Sequence, residues 1–422
     1  MNDGPAQTSR VEELRARARG KAGPDALRLF EDALALMLSA GIEPASISTL
    51  TVDALVGLAN GLATARSAST IPSLSMPGRH ARLDEYVANA MGQTPGRILD
   101  IGCGCPPWPT IETGARFPAT EVIGVDFRWP AFLLEDGAGL RAFFGEDRRL
   151  QYLFTDAALR VRSQAPDVLE RSAVERFERL LRVLEAEGHD EARATIEADG
   201  ARLTREPMHT YERENVRFVN GAIGSATVPK AAVIRCMNVM PYLGSARQTE
   251  ALQWMGQNLE QGGLAIVGCN FAASTDQRYR VYRREGDWLA ERELCFGVDW
   301  LRPVTAITWV ALEGDVDPSA VASWTRVVRS DEVFAKRLDA RFDALLSEHG
   351  LLERSPNGIL EPIGSARGPN DLGRTMAAIA TELDGEGYVA SAASIIEASG
   401  TRARRNEIGD LAVATGGSLR LP

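Results

Sequence analysis

The residues of this sequence best placed to do chemistry are two glycines and a carboxylate. Arg97-Ile-Leu-Asp-Ile-Gly-Cys-Gly-Cys-Pro-Pro-Trp108 ends an apolar run in Gly102-Cys103-Gly104, where the absence of side chains at both glycines lets backbone approach a ligand closely. About twenty residues further on, Glu121-Val-Ile-Gly-Val-Asp-Phe127 ends a second apolar run in Asp126, a carboxylate able to accept hydrogen bonds from a ribose diol. A nucleoside ligand is implied. A dinucleotide fingerprint would place a third glycine at Pro107, and the Pro106-Pro107 pair removes two of the N–H donors with which a helix start holds a pyrophosphate. A nucleoside without phosphates suits the turn better.

Leu99-Asp-Ile-Gly-Cys-Gly104 resembles the first motif of the class I S-adenosylmethionine-dependent methyltransferases, and Val122–Asp126 resembles the second. The resemblance implies a Rossmann-like fold and S-adenosylmethionine as cofactor. It places Asp100, Gly102, Cys103 and Gly104 on the methionyl side and Asp126, with Phe127 beside it, at the ribose; Asn220, at the end of the third strand, joins this cofactor-binding set. Pro106 stands where the family has its third motif glycine.

A second block, Ala232-Val-Ile-Arg-Cys-Met-Asn-Val-Met-Pro-Tyr-Leu243 followed by Gln248 and the Gly-Gly-bounded run Leu259–Gly268, is similar to the chemoreceptor glutamate methyltransferases. That likeness spans residues 97–270 and implies that Asn238 contacts the cofactor while Tyr242 borders the transferring methyl group as the catalytic residue. Met237 replaces the family's arginine, Ala222 occupies the place of an expected asparagine, and the N-terminal helices lack its basic receptor-docking pattern.

Methyl transfer from a sulfonium is an in-line displacement, so alignment supplies most of the catalysis. A carboxylate acceptor is already ionised at neutral pH and needs no base, which favours carboxylate O-methylation of a small molecule or peptide. A phenol or amine would call for a base, for which His80 and His209 are the candidates. An NAD-linked oxidoreductase and a cofactor-binding regulatory or scaffold protein without turnover are the competing readings.

The positioning elements follow from hydrophobic periodicity. Residues 1–92 read as a helical region, with Leu27, Phe30, Ala33, Leu34 and Met37 at helical spacing, Thr51 as a cap, and a Ser/Pro-rich loop over 67–79. From Arg97 the pattern alternates short β runs (98–102, 122–126, 216–220, 232–236, 264–269) with helices, predicting a mostly parallel sheet with helices on both faces. This methyltransferase domain spans 93–315.

Within it, residues 128–214 read as a helical insert built around an amphipathic helix at Pro166–Glu187, with stripe Leu169, Ala173, Phe177, Leu180, Leu181 and Leu184. The insert is either a lid over the acceptor or a packed decoration. Glu285-Gly286-Asp287 joins 278–284 to 288–295 as an antiparallel hairpin, 304–312 reads as a further strand, and 316–422 as a helical extension with a loose Gly/Ser/Arg-rich end. Trp254, Trp288, Trp300 and Trp309 serve either an acceptor pocket or, more in keeping with their size, the core.

Composition narrows the partners. With 422 residues, 45% hydrophobic content and net charge -10, the chain can bury a large core and offers no basic footprint for nucleic acid. Five cysteines, an odd number placed in apolar runs and the glycine turn, fit a reduced cytoplasmic protein, and Cys103-x-Cys105 lacks a second ligand pair for a metal. No signal-like or membrane-spanning run is present, so a soluble protein is expected. Composition leaves the oligomeric state open.

Overall fold

The computed structural model describes residues 5–67, 75–155, 159–161, 167–188, 194–272, 275–312, 314–364 and 367–422. Residues 68–74 of the expected Ser/Pro-rich loop, and Pro166, lie outside the described residues.

Helices α1 (Pro5–Arg19), α2 (Pro24–Ser39), α3 (Thr49–Ser67) and α4 (Ala81–Met91) open the chain. α2 begins on a first-turn proline and buries Phe30, Ala33, Leu34 and Met37. Thr51 is not the cap of α3. Ser48 Oγ accepts the Thr51 amide at 3.1 Å, while Thr51 Oγ1 donates to the Val304 carbonyl at 2.7 Å.

β1 (Ile98–Ile101), α5 (Trp108–Arg116) and β2 (Val122–Asp126) lead into an inserted unit of β3 (Phe132–Asp136), β4 (Arg141–Phe144), β5 (Leu150–Phe154), β6 (Leu159–Val161), α6 (Val168–Ala186), β7 (Thr195–Ala198) and β8 (Ala201–Arg205). The chain then returns through β9 (Val216–Asn220), β10 (Ala231–Met237), α7 (Ser245–Asn258), β11 (Leu259–Asn270) and the hairpin β12 (Gln277–Glu285) and β13 (Trp288–Phe296). It closes with α8 (Asp317–Arg329), α9 (Glu332–Glu348), β14 (Leu352–Arg354), β15 (Leu360–Pro362), α10 (Pro369–Gly385), α11 (Tyr388–Ala398), β16 (Ala403–Arg405), β17 (Leu411–Ala414) and β18 (Ser418–Arg420).

The central sheet runs β16-β17-β13-β12-β11-β10-β1-β2-β9, with β18 also paired to β13. The five strands from β11 to β9 are mutually parallel, and every pairing beyond β11 is antiparallel. This is the expected Rossmann-like α/β fold. Its strands are buried on both faces: Ile98, Val122, Val233 and Leu264 pack toward α4 and α5, while Leu99, Ile123, Ile234 and Ala265 join the core that includes α7. The loop from β9 to β10 carries only a turn and no helix.

Three expectations are corrected. Residues 128–214 are not a helical insert: their described residues form a six-stranded antiparallel sheet, ordered β6-β5-β4-β3-β8-β7, with α6 packed against it. The helical stripe was correctly placed, since Ala173, Phe177, Leu180, Leu181 and Leu184 are buried against Phe132, Leu134, Phe144 and Leu203. The short strands around it, broken by Asp/Gly turns, carry too weak a period to read.

Residues 304–312 form no strand. The Asp276 carboxylate accepts from Thr305 Oγ1 (2.6 Å), the Ile307 amide (2.7 Å) and the Thr308 amide (3.3 Å), which winds 307–309 into a 3-10 turn. The chain end is not loose: β17 and β18 pair with β13, and Leu421 is buried against Gly256 of α7.

The two helical ends of the chain share one core. Residues from α1–α3 and α8–α11 pack together around Phe296, Trp300 and Trp309, the two indoles stacking at 4.2 Å. Trp254 is also buried, so three of the four tryptophans serve the core, while Trp288 is 45% exposed.

Candidate active site

The sheet order places the site. From β1 the chain moves outward through β2 to β9, then returns to β10 on the other side of β1, so β1 and β10 flank the topological switch point where open α/β sheets bind ligands. The glycine turn follows β1 and the Asn238–Tyr242 segment follows β10. The two loops lie side by side at the C-terminal ends of these strands.

Gly102 and Gly104 hold φ of +75° and +69°, a region that side chains strain to enter. A Cβ on Gly102 would lie 2.3 Å from Val239 Cγ2, so the two post-strand loops touch through a contact that only glycine permits. The Gly104 amide donates to Asp126 Oδ2 and the Arg128 amide to Asp126 Oδ1, each at 3.0 Å, which clasps the end of β2 to the turn. Asn220 pairs in register with Asp126 and is exposed. Phe127 is 57% exposed, with the Arg128 guanidinium 5.0 Å from its ring centroid, an aromatic face left at the rim of the crevice. Cys103 is buried.

Asp100 lies under the turn rather than in the crevice. Its Oδ1 accepts from Arg235 Nε at 3.0 Å and its Oδ2 from Thr110 Oγ1 at 2.6 Å, and it is 2% exposed. Arg235, in register with Asp100 on the adjacent strand, also donates to Asp84 Oδ1 at 2.5 Å and Thr113 Oγ1 at 2.9 Å. Burial acts to raise the Asp100 carboxyl, but Arg235 and Thr110 outweigh it and hold it below the usual carboxylate range. Burial wins at Asp84, pushing it up to about 6 against the pull of Arg235. The charge group braces β1 and β10 against α4 and α5, which fixes where both loops emerge.

Asn238 has φ +61°, a left-handed conformation that asparagine tolerates. Its Oδ1 accepts from the Asn270 amide (3.1 Å) and its Nδ2 donates to Asn270 Oδ1 (2.9 Å), tying the ends of β10 and β11 together. Asn270 Nδ2 in turn donates to the Arg79 carbonyl (2.8 Å) and sits 3.2 Å from His80 Nδ1. Burial and Arg235 push the His80 imidazole well below its ordinary range, so it stays neutral and anchors the Asn270 side of the site. The sequence offered no signal for Asn270 or Arg235, whose roles come from partners far along the chain. His209 lies instead at the base of the insert, edge-on to Trp129 at 5.5 Å and 3.2 Å from Glu212 Oε1.

Tyr242 is 39% exposed and, with Asn238, borders a cavity of about 80 Å³. Its other walls come from α3, from 307–312 and from Cys269, Asn270 and Arg278 of β11 and β12, and none of the described residues of the insert contributes. The insert meets the site on its other side, where Tyr152 Oη donates to the Cys105 carbonyl of the glycine turn at 2.9 Å. A neighbouring cavity of about 290 Å³, which shares Pro241, Cys269 and Arg278 with the first, is lined by the ion pairs of Arg278 and Arg280 with Asp315 and Asp317.

Among the described residues no group of His, Cys, Asp or Glu is placed to hold a metal ion, and no helix is long and apolar enough to cross a membrane. Burial raises the thiols of Cys103, Cys105, Cys236 and Cys295 well above their ordinary range and pushes Cys269 up to about 11. Since the thiolate is the nucleophile, native protein at pH 8 should leave the four buried thiols Cys103, Cys105, Cys236 and Cys295 free of iodoacetamide within minutes, whereas urea-unfolded protein should take up five adducts by mass spectrometry. Rapid native labelling of any of these four would contradict their burial.

No protein-family model and no curated protein matches the chain. Solved structures do resemble it. PKMT2 from Rickettsia typhi is 13% identical over 46% of this chain and 26% of its own, with a TM-score of 0.24. Magnesium protoporphyrin IX methyltransferase from Synechocystis, with S-adenosylhomocysteine bound, is 12% identical over 46% of this chain and 55% of its own, at 0.22. The N-methyltransferase NodS from Bradyrhizobium japonicum, also with S-adenosylhomocysteine, is 14% identical over 46% and 62%, at 0.21. The chain spans less than two thirds of each of these proteins.

Proposed function

We propose that this chain is an S-adenosylmethionine-dependent methyltransferase acting on a small-molecule or peptide acceptor, with a carboxylate oxygen as the favoured nucleophile. The observation that carries the reading is the contact of Val239 with Gly102 at the switch point, which sets the Asn238–Tyr242 segment beside the glycine turn to which Asp126 is clasped.

The residues fit that cofactor. Gly102 and Gly104 carry the turn through positive φ, with the space beside Gly102 taken by Val239, Asp126 stands at the strand end with a neighbouring asparagine, and the exposed ring of Phe127 suits an adenine. The cofactor supplies an electrophilic methyl on sulfonium. Asp126 would accept hydrogen bonds from the ribose hydroxyls, the glycine turn would hold the methionyl part, and Asn238 would stand beside the reacting groups. Tyr242 borders the acceptor and restricts its approach to one line. A carboxylate acceptor arrives ionised, so no side chain has to remove a proton.

The test is transfer of a labelled methyl group. Purified protein with methyl-labelled S-adenosylmethionine and a panel of carboxylic acids, phenols and amines should release S-adenosylhomocysteine and label one class of acceptor. Cofactor binding with no turnover across the panel would favour a regulatory cofactor-binding protein, and absence of binding would overturn the reading.

A further inference from the structure

We infer that the cavity beside Tyr242 is the acceptor subsite and that it takes a small apolar group, an aryl or branched aliphatic body, rather than an acidic peptide side chain. The inference rests on the methyltransferase reading for what happens to the acceptor, but the subsite stands on its own lining. Leu58 and Leu62 of α3 form one wall, and Ile307, Val310 and Leu312 form the other. These five aliphatic side chains come from the N-terminal helices and from the turn that Asp276 winds, so the 3-10 geometry of 307–309 is what presents Ile307 to the cavity.

Size and charge restrict the occupant. The cavity holds about 80 Å³, against the roughly 10–15 Å³ that admits one water, which is room for a group of about six non-hydrogen atoms. Arg278 is the cation at its base, and its charge is already matched: Nη2 donates to Asp315 at 2.5 Å, Nε donates to the Thr308 carbonyl at 3.1 Å, and Asp317 lies 3.6 Å from Nη1. An anionic group reaching the Arg278 side of the cavity would compete with a buried ion pair, so the charged end of an acceptor is directed away from Arg278.

The polar end of the cavity is Asn238. Its Nδ2 carries two N–H donors, and Asn270 Oδ1 takes one of them. The acceptor's oxygen therefore belongs at the Asn238–Tyr242 end, beside the glycine turn, with its apolar body between α3 and 307–312. Aliphatic lining discriminates by size, so Leu58 and Ile307, both half-buried walls of the cavity, set how large that body can be.

Calorimetry on the full chain tests this with phenylacetate, acetate and N-acetylglutamate as probes, each with and without S-adenosylhomocysteine. Phenylacetate should bind at least tenfold more tightly than either of the other two. Leu58→Trp and, independently, Ile307→Trp fill the cavity and should each weaken phenylacetate at least tenfold while leaving S-adenosylhomocysteine affinity within twofold. Tighter binding of N-acetylglutamate, or unchanged phenylacetate affinity in whichever tryptophan variant folds, would overturn the subsite. Failure of S-adenosylhomocysteine to bind wild type, with the phenylacetate pattern intact, would instead overturn the methyltransferase reading and leave the apolar subsite supported.

Discussion

Asp126→Ala should lower the affinity for S-adenosylhomocysteine by about 100-fold or more in calorimetry. A hydrogen bond to a charged acceptor is worth about 1.5–3 kcal/mol, and a ribose diol makes two, so removing the carboxylate forfeits about 3 kcal/mol or more, or about two decades in Kd. The same carboxylate accepts from the Gly104 and Arg128 amides, so its loss also releases the clasp between β2 and the glycine turn. Asn220→Ala is the comparison. Asn220 is exposed beside Asp126 and makes no clasp, so its removal should cost at most a few-fold. Equal binding by wild type and Asp126→Ala would remove the ribose role. An unchanged melting temperature with lost binding would separate that role from the clasp.

The residues of this crevice were legible in the sequence to very different degrees. Gly102, Gly104 and Asp126 announce themselves because turn and strand end are local, each set by a few neighbouring residues, and the five parallel strands were readable as short apolar runs bounded by breakers. Asp100 was legible as a motif residue but not in its role, because its partner Arg235 is 135 residues away and spacing carries no information about which strands become neighbours. Asn270 was hidden for the same reason, since its neighbour His80, legible only as a possible base, lies 190 residues away. The insert misled because the amphipathic α6 dominates its period while strands of three to five residues do not. The segment 304–312 misled because a distant carboxylate, Asp276, overrides a β-like pattern.

Arg235→Met should be the most destabilising substitution among the residues around the crevice, and its cost should depend on pH. Methionine keeps the volume of the side chain but leaves Asp84 and Asp100, 4% and 2% exposed, without their shared cation. Breaking a buried pair by removing one partner costs about 3–5 kcal/mol, far more than the packing change of such a swap. The sign of the pH dependence follows from the carboxyls. In wild type the Asp84 carboxyl is raised to about 6, so its contribution is fully present below its unfolded value and is lost as pH rises through 6; Asp100 is depressed, so its contribution is present above its unfolded value and lost as pH falls. The two slopes oppose each other. Without Arg235 both carboxyls are raised by burial, and both contributions are lost as pH rises. Urea unfolding of wild type and Arg235→Met should therefore show a gap in midpoint that is wide at pH 8 and narrower at pH 5. Adding Asp84→Asn to the variant should recover part of the pH 8 loss. A gap of equal size at both pH values would mean that the arginine acts through packing alone, and the brace between the glycine turn and the Asn238 loop would then owe nothing to charge.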